Sequence, residues 1–468
     1  MQHQVTKSRC AFLKHAARVA AVLLFVSSSE ASAAETTRPN LIFIIADQHS
    51  ADMMSCAGNK YVQTPSMDRL ARHGVRFTRA YVTHPLCIPS RASFMTGKMP
   101  TQCRGDVQSH TSLGMTMKQA GYDTGYFGKW HIQPRQTENN LSWHGFDTIN
   151  TRGIDTEKAR LSVDFIKRKR DKPFFMITSL LNPHDICQWA RIHSGVNDEM
   201  KNGDIGPAPA PSKCPPLPAN FDPPLDEPEV VRQRLVHDKR ARTSVHPTSD
   251  WTESDWRQYR WAYCRLIELV DVQIGKLLDA LQETGQLENT LIIYSSDHGD
   301  GNASHRWNQK VVLYEEAIRL PMIVSWKGHT RPGVTDGSLV SMNLDLLPTF
   351  CEFAGVELKE ELSGKSLRQL VMADTKSDPA KQLHPFVVTE TRLFDDVQGR
   401  ALMTGRLKYI VYSTGKRPEQ LFDLESDPGE MNSLVNDPAY QAELRRHRQL
   451  LQKWTDSIGD SFSLAHVK

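Results

Sequence analysis

Four short apolar runs, far apart in the chain, each end in a group of polar residues rich in Asp, Lys and His. The run from Leu41 to Ile45 leads into Ala46, Asp47, Gln48 and His49. Tyr122 to Phe127 leads into Gly128, Lys129, Trp130 and His131, and Pro173 to Thr178 runs out to Asn182, Pro183, His184 and Asp185. Thr290 to Ser295 leads into Ser296, Asp297, His298 and Gly299. Runs this apolar, with little alternation, suit strands covered on both faces, as in a parallel sheet. Parallel strands need crossovers, and helical patterns lie between the runs. One spans Ser66 to His73 with Met67, Leu70 and Ala71 inward, and another spans Leu113 to Ala120 and stops at Gly121. Thr252 and Asp255 form a capping box for a long amphipathic helix through Leu266, Leu269, Val270, Leu277, Leu278 and Leu281. Arg319 to Ser325 adds a further strand. The alternation predicts a doubly wound α/β sheet flanked by helices. Ligands of such sheets bind outside the carboxyl ends of the strands. The polar groups that terminate the four runs therefore converge on one crevice.

At 468 residues the chain suits one large α/β domain and a smaller one. Residues 1–33 read as a signal peptide. Lys7, Arg9, Lys14 and Arg18 precede the apolar stretch Val19 to Val26, and Ala31, Ser32 and Ala33 offer a cleavage site. That stretch is too short to span a bilayer, so a secreted or periplasmic protein without stable membrane insertion is expected. Residues 34–370 carry the α/β pattern. Residues 371–468 change character, with short antiparallel strands at Phe386 to Thr389, Arg400 to Met403, Leu407 to Tyr412 and Leu421 to Leu424, then a helix from Ala439 to Trp454. The proline-dense stretch 207–228 reads as an ordered surface excursion. Lys and Arg number 57 against 54 Asp and Glu, so the balance gives no reason to expect a nucleic-acid partner. Eight cysteines include Cys10 in the leader and Cys87. The other six form an even set in an oxidising compartment, with Cys187 and Cys214 the favoured pair.

Cys87-Ile88-Pro89-Ser90-Arg91, continuing through Thr96-Gly97, resembles the C-x-P-S-R-x-x-x-x-T-G signature of the type I sulfatases. The stretch Gly121 to His131 resembles that family's second signature, and Asp427-Pro428-Gly429-Glu430 resembles its C-terminal subdomain. The resemblance implies an alkaline-phosphatase-like fold with a small antiparallel C-terminal subdomain. It also implies a sulfatase whose Cys87 is converted by a formylglycine-generating maturation enzyme to formylglycine (3-oxoalanine), the hydrate of which is the nucleophile. Asp47, Gln48, Asp297 and His298, with the modified Cys87, are the implied metal site. Oxygen donors favour Ca2+, with Mg2+ possible, and the imidazole admits Mn2+. The Asp-Gln and Asp-His pairs resemble a branch that includes glycosaminoglycan sulfatases, choline sulfatases and phosphonate monoester hydrolases. In the same resemblance Lys129 and Lys310 bind sulfate, and Arg91 orients the nucleophile with Ser90 beside it. His131 takes a proton from the hydrate, and His184 contacts the sulfate and protonates the leaving alcohol. His49 and His305 are bystanders. Asp185, Trp189, Arg191 and His193, together with Arg392 and Arg400, are candidates for lining the substrate pocket. A sulfated polysaccharide or glycosaminoglycan fragment is the expected substrate. A choline-sulfatase-like or phosphonate/phosphate ester hydrolase with the same nucleophile is the alternative, as is a non-catalytic binding protein on the same scaffold.

Overall fold

A computed structural model describes residues 38–103, 106–240, 248, 250–358, 360–373 and 382–467. The expected signal peptide over residues 1–33, with Cys10, lies outside them. Among the described residues no helix is long and apolar enough to cross a membrane.

The large sheet is built from β1 (Asn40–Asp47), β2 (Gly74–Tyr81), β3 (Asp123–Gly128), β4 (Thr148–Asn150), β5 (Phe174–Pro183), β6 (Thr290–Ser296), β7 (Arg319–Ser325) and β8 (Val334–Ser341). Their spatial order is β4-β3-β5-β1-β6-β7-β2-β8. All neighbours pair in parallel except β7, which runs antiparallel to both β6 and β2. Central β1 shows why the apolar runs lack alternation. Leu41, Phe43 and Ile45 enter the core on one face of the sheet, while Ile42, Ile44 and Ala46 enter the core on the other. Each fully buried Leu, Ile or Phe of this strand contributes about 1.5–3 kcal/mol.

The helix Glu253–Glu283 closes one face, and its Thr252 and Asp255 form the expected capping box. On the other face the helix Cys87–Thr96 packs beside Met342–Ala354. It begins at Cys87, two residues before Pro89. Gly97 closes it in the left-handed region, at φ 67°.

A second, antiparallel sheet follows, in the order β12-β11-β10-β9, with β9 (Val387–Arg392), β10 (Gln398–Met403), β11 (Leu407–Tyr412) and β12 (Glu419–Asp423). The helix Gln441–Ile458 packs on it through Leu444 and Leu451.

The expected Cys187–Cys214 disulfide is absent. All seven described cysteines are free. Cys187 points into the crevice beside Gln48, with Sγ 3.6 Å from Oε1, whereas Cys214 turns to the carbonyls of Pro209 and Ala210. Flanking one loop did not bring the two side chains onto a common face.

Candidate active site

The four polar termini do converge. Asp47 ends β1, Asp297 and His298 follow β6, and Cys87 opens the helix Cys87–Thr96. Asp47, Cys87, Asp297 and His298 are all buried, and their ligand atoms lie within 4.8 Å of one another.

Arg91, one turn after Cys87 and fully buried, organises this cluster. Its Nε donates to Asp297 Oδ2 (2.8 Å) and its Nη2 to Asp47 Oδ2 (3.0 Å). Nη1 donates to the carbonyl of Lys129 and to Ser179 Oγ, both at 2.8 Å. Lys129 Nζ adds a 2.5 Å contact to Asp47 Oδ2. The Oδ2 atoms of both carboxylates are thus occupied. Asp47 Oδ1 has no hydrogen-bond partner, and Asp297 Oδ1 receives only the Gln48 N–H, at 3.2 Å. Both Oδ1 atoms lie beside His298 Nε2, at 3.7 and 3.6 Å. His298 Nδ1 meets the carbonyl of Gly299 at 2.9 Å, which assigns one proton to Nδ1; against burial, Asp297 favours a second on Nε2, and a cation that displaces that proton finds the Nε2 lone pair. Two carboxylate oxygens, one orphaned, and an imidazole lone pair fit a divalent cation. The electrostatics agree. Burial would raise Asp47, yet Lys129 and Arg91 hold it well below its ordinary value, while burial and Asp47 push Asp297 upward.

Cys87 faces the cations of the crevice. Its Sγ lies 3.3 Å from His298 Nε2 and 3.5 Å from Lys310 Nζ. Burial and Asp47 would raise the thiol, but Lys310, Lys129 and His298 outweigh them and hold it well below its ordinary value. A pocket that stabilises a thiolate this strongly is arranged for a negative charge. The start of the helix adds its own positive potential there.

His184, half-buried beyond β5, shares this field. Burial first, then Lys310, lower it well below its ordinary value. Lys310 reaches in from the β6–β7 connection, and its Nζ donates to Gln48 Oε1 (2.9 Å). Gln48 is held by Asp300, whose Oδ2 accepts from Nε2 at 2.7 Å, so its amide oxygen turns toward Lys310 and Cys187. His131 has no bond to this cluster. It lines a neighbouring cavity of about 450 Å³ with Lys129, Trp130 and Leu181, and its Nδ1 is unpartnered. His49 sits apart, bonded to Tyr294 and the carbonyl of Met53.

Five of the candidate pocket residues serve the fold instead. Asp185 is buried and accepts from Asn202 N–H (2.8 Å). Trp189 stacks on His193 (4.6 Å), which in turn pairs with Asp255. Arg191 pairs with Asp198, and buried Arg400 makes a bidentate pair with Asp460. A sequence does not say which way the short helix Ile186–His193 turns Trp189, Arg191 and His193, nor which partner a strand residue such as Arg400 meets. Arg392 lines a cavity of about 400 Å³ with His84, Pro89, Thr101, Glu390 and an edge of Arg400, beside the Cys87 helix.

Several residues of the site carried no sequence signal. Ser179 and Tyr126 both bond the carbonyl of Lys129, at 2.8 and 2.5 Å. Asn343 holds Ser90 through its hydroxyl and its carbonyl, at 2.9 Å each, so the Ser90 side chain faces Asn343.

A family profile described as Sulfatase matches residues 39–356, and one described as N-sulphoglucosamine sulphohydrolase, C-terminal, matches residues 303–456. A Delta 4,5-hexuronate-2-O-sulfatase of Bacteroides thetaiotaomicron is 29% identical over 462 residues, covering 92% of each chain. An N-acetylglucosamine-6-O-sulfatase of the same organism is 28% identical over 515 residues, covering 94% of this chain and 90% of its own. Among solved structures, a 2-O GAG sulfatase superposes with a TM-score of 0.76 at 28% identity, over 91% of this chain and 93% of that one.

Proposed function

The chain belongs to the sulfatase family and is a sulfuric ester hydrolase; we propose that it acts on sulfated glycosaminoglycan-type saccharides, with a formylglycine hydrate derived from Cys87 as nucleophile. The reading rests on the placement of Cys87, at a helix start, between Lys310 and His298 and within 4.8 Å of the paired carboxylates.

When present, the aldehyde hydrate supplies a hydroxyl that attacks sulfur and a second hydroxyl whose deprotonation releases sulfate. A bound divalent cation, calcium first by its oxygen donors, would be held by Asp47, Asp297, His298 and the amide of Gln48, and would polarise an oxygen beside it. Arg91 keeps both carboxylates ionised and aimed. Lys129 and Lys310 bind the sulfate oxygens and oppose the charge that grows on them in the transition state. His184 is neutral in the resting pocket, because burial and Lys310 oppose its protonation. An incoming sulfate monoanion offsets Lys310 and lets His184 carry the proton that the leaving alcohol needs. His131 takes the proton of the second hydroxyl.

The saccharide occupies the cavity lined by Arg392, Thr101 and Glu390, where the arginine faces a uronate carboxylate or a second sulfate. The glycosaminoglycan assignment is supported by the named activities of the relatives above. Export through the 1–33 leader and processing by a maturation enzyme complete the proposal.

Peptide mass spectrometry across Cys87, on protein from its native host, tests the nucleophile. Conversion lowers the mass by about 18 Da, and an unmodified thiol in active protein refutes it. Turnover of 2-O-sulfated unsaturated disaccharides, 6-O-sulfated glucosamine, choline sulfate and a phosphonate monoester tests the substrate. Preference for either of the last two overturns the saccharide assignment. Cys87→Ala should abolish turnover while leaving the fold intact.

A further inference from the structure

A second group of metal-competent side chains, two buried and one half-buried, lies outside the site just described. His305, Glu316 and Glu430 each place a ligand atom within 4.8 Å of the others. They come from three places: the turn Ser304–Arg306 in the β6–β7 connection, the short helix Glu315–Ile318, and the loop after β12. Hydrogen bonds fix them there. The His305 N–H donates to the carbonyl of Asn220 (2.6 Å), Asn220 Nδ2 donates to Glu316 Oε1 (2.9 Å), and the Glu315 N–H donates to Glu430 Oε2 (2.7 Å).

His305 Nε2 meets Asn220 Nδ2 at 3.3 Å, but two of the remaining ligand atoms are unsatisfied. His305 Nδ1 and Glu316 Oε2 are buried without any hydrogen-bond partner, and His305 is only 1% exposed. Glu430 Oε1 has the Lys408 ammonium at 2.7 Å and nothing else. A buried polar atom left unsatisfied costs about 1–3 kcal/mol, so several in one cluster ask for an occupant. Asp47 Oδ1 is the equivalent orphan in the catalytic cluster, which also has lysines beside its carboxylates. Charge points the same way. Glu315, Glu316, Glu430 and neighbouring Asp427 face Lys408 and Arg319, and Arg319 is shared with Asp52, so the carboxylates outnumber the cations that pair with them.

We propose that His305, Glu316 and Glu430 bind a second divalent transition-metal ion, which fastens the loop carrying Lys310 to the C-terminal sheet. One imidazole and two carboxylates form a donor set suited to Zn2+ or Mn2+. The loop needs fastening. Asn302, Ala303, His305, Arg306, Gln309 and Val311 all have positive φ, from 45° to 88°. Non-glycine residues held there persist only where their surroundings over-determine the backbone. The loop delivers Lys310 Nζ to within 3.5 Å of Cys87 Sγ, so the ion acts as a positioning element for that lysine and touches no reacting atom.

Protein stripped with a chelator and dialysed against Mn2+ alone, or Zn2+ alone, can be assayed for metal by mass spectrometry. The expected counts are two ions per chain in wild type, one in Asp297→Ala, one in Glu316→Gln, and none in the double variant. In the Asp297→Ala background only the second cluster can respond, so Mn2+ or Zn2+ should raise its melting temperature. That rise should vanish on adding Glu316→Gln or, separately, His305→Asn. A single ion in wild type with none in Asp297→Ala overturns the proposal. So does a second ion retained in both Glu316→Gln and His305→Asn. None of these readouts depends on which ester the enzyme hydrolyses.

Discussion

Arg392 and Arg400 lie on the adjacent strands β9 and β10 and line the same cavity, yet the structure gives them opposite work. The Arg400 guanidinium meets Asp460 with Nε–Oδ2 at 2.8 Å and Nη2–Oδ1 at 2.9 Å. It also donates to the carbonyl of Gly399 and lies over the Phe462 ring at 4.7 Å. Both charged side chains are almost fully buried, at 2% and 1% exposure. Arg400→Met leaves the Asp460 carboxylate buried and uncompensated, a change that costs about 3–5 kcal/mol. Arg400→Met with Asp460→Leu removes both charges and should recover most of the loss. The exception is the Phe462 N–H, which Asp460 also accepts and whose orphaning costs about 1–3 kcal/mol. Urea unfolding of the two single variants and the double variant gives the coupling directly. Arg392→Ala should instead leave the unfolding midpoint within about 0.5 kcal/mol of wild type and raise KM for the anionic saccharide. If Arg400→Met costs less than about 1 kcal/mol and raises KM tenfold, the assignment of Arg400 to the fold is wrong.

Glu390, buried, is pushed up to about 7 by desolvation, against an ordinary value near 4.5. Between these values the folded state binds more protons than the unfolded state, so this group's contribution to stability falls as pH rises, by about 3 kcal/mol over the window; Glu390→Gln should flatten that slope in a pH series of urea midpoints. Gly128→Ala should cripple turnover at least as much as it lowers stability, because φ is 124° and a Cβ would lie 1.8 Å from the carbonyl of Ser179, forcing Lys129 away from Asp47; retained activity would show that the strand end can yield. Alkylation in denaturant without reductant should label Cys56, Cys103, Cys187, Cys214, Cys264 and Cys351, and a missing Cys187 or Cys214 label would restore the disulfide that the structure lacks.

The positions of Asp47, Lys129 and Asp297 were legible because a strand's direction and its last apolar residue together fix where the next side chain emerges. The doubly wound sheet followed from the same runs. The reversal of β7 was not legible, since an apolar run such as Leu320 to Val324 reads the same in either direction and only its neighbours in space decide. Ser179, Asn343 and Asp300 were silent for another reason. Each acts by holding a residue from a distant segment, through bonds that exist only once the sheet has closed. The pocket residues after His184 failed oppositely. Their composition suggested a rim, but intramolecular partners had already claimed Asp185, Arg191 and His193.

Cys87 is 3% exposed, and the helix it opens is clamped by Arg91 to the ends of four strands. A small anion can reach the sulfur in that setting, whereas another protein's active site cannot close around it. A macromolecule that alters this thiol therefore meets it only in a chain whose helix has not yet docked. Chemistry on the residue and closure of the sheet become events in a fixed order, covalent first and conformational second. Under the conversion of Cys87 proposed above, a maturation enzyme supplied after the sheet has closed would come too late for that molecule, and the active fraction of a preparation would record how often conversion came before closure.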